Sequence, residues 1–158
     1  MSRVQLWLLR HGEAEPHGSA PDFQRALTAK GEDQSRQAGA ALARMGIAPA
    51  ACYSSPKVRA RETARLACAS LGVEVEEADS LAGDFDVGAL RDLLSGHDGG
   101  DCVLIVGHEP DFSQLVHDLT GARVDVKKGG LVQLAIEGRR GELISLLRPR
   151  QITTMVSQ

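Results

Sequence analysis

Val4-Gln5-Leu6-Trp7-Leu8-Leu9-Arg10-His11-Gly12 decides how this chain is read. Six strand-forming residues, apolar on both faces, run straight into an arginine, a histidine and a glycine. A strand apolar on both faces belongs in the middle of a sheet covered on both sides. Its end therefore carries a guanidinium fork, an imidazole nitrogen and free backbone N–H groups to one point, the groups needed to hold and attack a phosphoryl group. Three neighbouring residues are too few to carry a function, so the rest of the chain must supply partners.

Working outward, strands and helices alternate. The pattern predicts strands over 3–9, 50–54, 73–75 and 101–106. A loop fills 10–27. Helices are expected over 29–45, capped by Thr28 and stopped by Gly46, over 56–71, opened by Pro56, and over 87–96. A fourth helix opens at Pro110 and ends near Gly121. Residues 131–136 and 142–147 flank Glu137-Gly138-Arg139-Arg140-Gly141 as a hairpin. These elements predict an α/β fold of three layers: a mostly parallel open sheet flanked by helices, with a C-terminal hairpin at its edge. No repeat, low-complexity run or linker interrupts residues 1–158, so one domain is expected.

Composition excludes several functions. The chain has 158 residues, 42% of them hydrophobic and 25% charged, enough for one sizeable core. A net charge of −3 and only five aromatic residues (3%) give neither the basic field nor the stacking platforms of a nucleic-acid binder. The odd cysteine count, Cys52, Cys68 and Cys102 without Cys-x-x-Cys spacing, fits a reducing compartment. The apolar stretch before Arg10 is too short for a signal peptide core or a membrane span. A cytoplasmic protein with no membrane or nucleic-acid partner is expected.

In open parallel sheets the ligand crevice lies at the carboxyl ends of the strands, so those ends are where chemistry is sought. The first strand ends in Arg10-His11-Gly12. The 101–106 strand ends in Gly107-His108-Glu109-Pro110, with His108 just before a helix whose amides and dipole favour an anion. The 50–54 strand leads through Ser54-Ser55-Pro56 to Arg59 near a helix start. One edge of the sheet thus gathers two imidazoles and two guanidinium groups. His17, His97 and His117 have no such placement and are read as structural or exposed. No carboxylate or cysteine set at fixed spacing accompanies His11 and His108, which argues against a metal site.

Three segments, Leu9-Arg10-His11-Gly12, Ser54-Ser55-Pro56-x-x-Arg59-Ala60-x-x-Thr63-Ala64 and Val106-Gly107-His108-Glu109-Pro110, resemble the signatures of the histidine phosphatase, or phosphoglycerate mutase-like, superfamily. The short length and Arg25-x-Leu27-Thr28-x-x-Gly31 are most similar to SixA-type phosphohistidine phosphatases. The resemblance implies a metal-independent hydrolase without cofactor that forms a phospho-His11 intermediate. Arg10, Arg59 and His108 would bind the phosphoryl oxygens, and Arg25 would extend the pocket. Larger relatives carry an acid for the leaving alcohol. The equivalent stretch here, Glu74 to Asp86, holds six acidic residues and no basic one. It shows no donor motif, although Asp84 or Asp86 is available. A phosphoramidate needs that acid least, because imidazole leaves phosphorus more readily than an alkoxide. The expected substrate is therefore phosphohistidine on a protein, either a phosphotransfer domain of signal transduction or a phosphocarrier. The alternatives are a small-molecule phosphomonoesterase of the same superfamily and a phosphate-binding module without turnover.

Overall fold

A computed structural model describes residues 3–157. One six-stranded sheet, in the order β3-β2-β4-β1-β5-β6, runs through the molecule. Its strands are β1 (Val4–Arg10), β2 (Ala51–Ser54), β3 (Val75–Glu77), β4 (Cys102–Gly107), β5 (Leu131–Glu137) and β6 (Arg140–Leu147). Pairs β3–β2, β2–β4 and β4–β1 are parallel, whereas β1–β5 and β5–β6 are antiparallel. This is the mostly parallel sheet with an edge hairpin that the alternating pattern predicts.

Side chains of β1 alternate between two cores, which is why Leu6 to Leu9 are apolar without a break. Leu6 and Leu8 join Ile105, Phe112 and Leu115 under α3 (Val87–Leu94) and α4 (Asp111–Thr120). Trp7 and Leu9 join Leu42, Ala64 and Leu104 under α1 (Ala29–Arg44), α2 (Val58–Cys68) and α5 (Pro149–Val156). Burying each large aliphatic or aromatic side chain contributes about 1.5–3 kcal/mol. The sheet is therefore pinned from both sides.

Several boundaries move from their sequence-based positions, each for a local reason. Helix α1 starts after Thr28, whose Oγ1 accepts the Gly31 amide at 3.1 Å, as expected of a cap. Helix α2 begins at Val58 rather than Pro56, because Lys57 is still extended (ψ 139°) and its amide donates to Ser55 Oγ at 3.2 Å. Strand β3 covers Val75–Glu77 rather than 73–75, since pairing with Cys52–Ser54 sets its register. The hairpin turn shrinks to Gly138-Arg139, with Gly138 at φ 62°, where glycine is favoured. Helix α5 has no counterpart in the sequence-based pattern. Its signals are short: Pro149 at the first turn, and Gln151 Oε1 accepting the Arg148 amide at 2.9 Å. Ile152 anchors it in the second core. No described helix is long and apolar enough to cross a membrane.

Candidate active site

Strands β1 and β4 are paired with Arg10 opposite Gly107, so the residues that follow them, His11 and His108, emerge side by side. The His11 amide donates to Gly107 O at 3.1 Å, and the two imidazole centroids lie 5.2 Å apart. Strand β2 ends beside them. Ser55 lies 2.8 Å from His108 Nε2 through its hydroxyl, and the first turn of α2 brings in Arg59. His11, His108 and Arg59 line a cleft of about 350 Å³ together with Arg10, Arg25, Lys57 and Asp84.

His11 is 6% exposed, and its Nδ1 lies 2.7 Å from Gly12 O. A carbonyl only accepts, so Nδ1 carries the proton and Nε2 keeps its lone pair. Burial first, then the neighbouring His108, Arg59 and Arg10, lowers the His11 pKa to about 3, against the opposing pull of the Gly12 hydrogen bond. The ring is therefore neutral at pH 7, with the Nε2 lone pair unprotonated. The loop that holds it is itself held. Gly12 N donates to Thr63 Oγ1 at 3.1 Å, and Thr63 Oγ1 donates to Arg59 O at 2.8 Å. Gly12 and Gly31 cross so closely that a Cβ on Gly12 would overlap the Gly31 carbonyl oxygen.

Burial also lowers His108, to about 4, with Arg59 and Lys57 adding to the shift. Ser55 Oγ already accepts the Lys57 amide, so its own proton is free for His108 Nε2. With that hydroxyl donating to Nε2, the ring hydrogen lies on His108 Nδ1, which is buried and has no partner. Arg10 and Arg59 likewise each bury an unpartnered Nε, although Arg10 donates to Val126 O at 2.9 Å and Arg59 to Asp22 O at 2.8 Å. Unmatched buried donors are rare in folded proteins. Here they cluster around a neutral imidazole, an arrangement suited to an oxyanion.

Four positions in the site are not legible in the sequence. Asp22 pairs with three of its cations. Its carboxylate accepts from Arg25 Nε and a terminal nitrogen of Arg25 at 3.1 and 2.9 Å, and lies 3.4 Å from both Lys57 Nζ and Arg59. The hydrogen bond with Arg25 above all, then Arg59 and Lys57, holds that carboxyl well below the usual range. Lys57, Lys128 and the exposed His17 also line the cleft. Asp22 sits one turn before Arg25, the only sequence signal for it.

The remaining expected positions behave differently from one another. Arg25 lines the cleft, but its guanidinium is already bonded to Asp22 and to Glu15 O at 2.8 Å. Asp84 lines the exposed wall at φ 57°. Asp86 turns away and caps α3, accepting the Ala89 amide at 2.9 Å. The sequence pattern has the start of α4 facing an anion. Instead Glu109 accepts the Ser113 amide at 2.7 Å, so a protein carboxylate already answers that helix end. Among the described residues no three His, Cys, Asp or Glu side chains gather to hold a metal ion.

The chain belongs to the histidine phosphatase superfamily, branch 1, whose family model matches residues 6–89. An uncharacterized protein of Picosynechococcus sp. is 32% identical over 139 residues, which cover 83% of this chain and 84% of that protein. The fold is similar to that of the protein histidine phosphatase SixA complexed with tungstate, with a TM-score of 0.82 and 24% identity over 94% of this chain and 99% of that one. It is also similar to a phosphoglycerate mutase from Bacillus anthracis, with a TM-score of 0.79 and 18% identity over 98% and 97% of the two chains. At these identities the two structures share the fold, whereas the family match joins this chain to the superfamily.

Proposed function

We propose that this protein is a metal-independent phosphohistidine phosphatase acting in the cytoplasm on a phosphotransfer domain or phosphocarrier protein. The observation that carries the reading is the tautomer of His11: Nδ1 is held by Gly12 O, which leaves Nε2 free among unpartnered cationic donors. His11 Nε2 attacks phosphorus in line, and the P–N bond to the substrate imidazole breaks with its electron pair returning to that ring. Arg10, Arg59 and the Nδ1–H of His108 hold the equatorial oxygens and stabilise their charge in the transition state. The substrate ring leaves as neutral imidazole because its other nitrogen carries a proton. Water then attacks phosphorus, the P–Nε2 bond breaks with its electron pair returning to His11, and inorganic phosphate leaves as the water's proton passes to solvent.

The commitment of the cleft's carboxylates supports a phosphoramidate over an ester. Glu109 accepts amides of Ser113 and Val126 at 2.7 and 3.3 Å, and Asp111 accepts the Phe85 amide at 3.1 Å. Both oxygens of Glu109 and Oδ2 of Asp111 are committed as acceptors. Among the described residues lining the cleft, Asp84 on the exposed wall is the carboxylate free of such bonds. That position favours the second reading, a small-molecule phosphomonoesterase with Asp84 as proton donor. SixA was solved with tungstate, a phosphate-like oxyanion, which supports an oxyanion as ligand here.

The test compares wild type, His11→Ala and Asp84→Asn on a phosphohistidine protein and on an alkyl phosphate. Expected are loss of all turnover in His11→Ala, a wild-type preference for the phosphoramidate, and little effect of Asp84→Asn. Equal rates on both substrates, or an Asp84→Asn variant defective only on the ester, would move the assignment to the phosphomonoesterase. Phosphate binding without a trapped phospho-His11 after rapid quench would leave a binding module.

A further inference from the structure

A second groove, of about 490 Å³, adjoins the cleft and shares Arg10 and Lys128 with it. Three distant segments build its rim: Lys30 from the start of α1, Lys127 and Lys128 from the loop before β5, and Arg148 and Arg150 around the start of α5. All five side chains are exposed. Lys127 is paired with Asp125 at 2.8 Å. Among the described residues none of Lys30, Lys128, Arg148 and Arg150 has a carboxylate within ion-pair distance. Glu13, the acid on this rim, is tied to the Thr28 hydroxyl at 2.7 Å. The chain as a whole carries a charge of −3, so a concentration of unpaired cations here is not an effect of composition.

We infer that this groove docks an acidic surface segment of the protein whose phosphohistidine enters the adjoining cleft. This inference rests on the phosphohistidine reading. The cations stand on the exposed rim rather than in a buried cage, so the groove lacks the enclosing donors that would grip a second small anion. Spaced, exposed charges suit an extended acidic partner, which they attract over about a Debye length and orient on arrival. Arg10 joins the two sites, so a segment lying along the groove delivers a neighbouring side chain to His11.

The probes are two phosphohistidine peptides of equal length, one with glutamates flanking the phosphohistidine and one with glutamines. Wild type is expected to favour the glutamate peptide by about tenfold in kcat/KM at low salt, and to lose the preference at about 0.5 M salt. The triple variant Lys30→Gln, Arg148→Gln, Arg150→Gln should lose the preference while hydrolysing phosphoramidate at the wild-type rate. Equal kcat/KM for the two peptides in wild type, or a preference that survives in the triple variant, overturns the proposal. Fluorescence anisotropy with the unphosphorylated glutamate peptide separates the two readings. If neither phosphopeptide turns over but this peptide binds wild type about tenfold more tightly than the triple variant, the groove stands and the phosphohistidine reading falls. Equal binding overturns the groove.

Discussion

Replacing Thr63 by valine tests whether His11, the proposed nucleophile, is held from α2. Thr63 is fully buried, and its hydroxyl links the Gly12 amide to the Arg59 carbonyl. Valine keeps the shape and removes the oxygen. The Arg59 carbonyl belongs to a helix and retains its backbone setting, so the loss falls on the Gly12 N–H, left buried without an acceptor. Such an orphaned donor costs about 1–3 kcal/mol, and for a chain of this size each kcal/mol lowers Tm by roughly 2–4 °C. A thermal melt should therefore fall by roughly 3–10 °C.

A purely structural defect would stop there. Because the carbonyl of that same glycine fixes the His11 tautomer at 2.7 Å, loosening Gly12 also misaligns Nε2. Misplacing a reacting group by about 1 Å costs on the order of a hundredfold in rate. We expect kcat for phosphoramidate to fall by about tenfold to a hundredfold with KM nearly unchanged, and Thr63→Ser to restore both Tm and kcat. A Thr63→Val protein that melts lower yet keeps the wild-type kcat would refute the positioning argument. One that keeps the wild-type Tm would refute the hydrogen-bond argument.

Other expectations follow from the same geometry. Both imidazoles have folded pKa values depressed below 6.5, to about 3 for His11 and about 4 for His108, so the unfolded chain binds more protons as pH falls. Their contribution is fully present above about pH 6.5 and is lost on acidification, by up to about 1.4 kcal/mol per pH unit for each ring; urea melts between pH 7 and 4 should show it, and a stability independent of pH would contradict it. Asp22→Asn removes a half-exposed competitor for Arg59 and Lys57 worth about 1 kcal/mol at most after screening, so calorimetry should find tungstate bound up to about fivefold more tightly, whereas weaker binding would make Asp22 a positioning residue. Gly12→Ala drives a Cβ into the Gly31 backbone, where neither side can yield; a loss of at least about 3 kcal/mol in a urea melt is expected, and a wild-type melt would show that the crossing relaxes.

The part of the site that is legible in the sequence is the part carried by strand ends. His11, His108 and Arg59 lie where parallel strands deliver them, and β1 announces its central position by being apolar on both faces. Asp22 escapes because it belongs to the 10–27 loop, where no period marks a side chain that turns inward. Lys57 is hidden by a helix start that Pro56 signals too early, so its extended backbone goes unforeseen. Helix α5 lacks a long amphipathic repeat and holds on through Ile152 and a short cap, signals that tertiary contact supplies and periodicity does not. The promise of the α4 N-terminus fails for a reason in plain sight: Glu109, one residue past His108, is the nearest anion to that helix end.

The electrostatics of the site make sense as a comparison of two charge states. With no ligand, Arg10, Arg59 and Lys57 would face one another across a cleft with nothing between them, and the Asp22 carboxylate supplies the missing negative charge from one side. Burial above all, with the charges of Arg59 and Arg10 adding to it, depresses both imidazoles and keeps Nε2 of His11 unprotonated. A phosphoryl group brings negative charge to the point where the unpartnered donors converge, and so reverses the field felt by His108. Under the proposed reaction, His108 thus gains proton affinity while a phosphoryl group is bound, which strengthens its hold on an equatorial oxygen. A site built this way needs no separate carboxylic acid for a phosphoramidate, whereas an alkoxide leaving group would ask more of it than Asp84 on an exposed wall is placed to give.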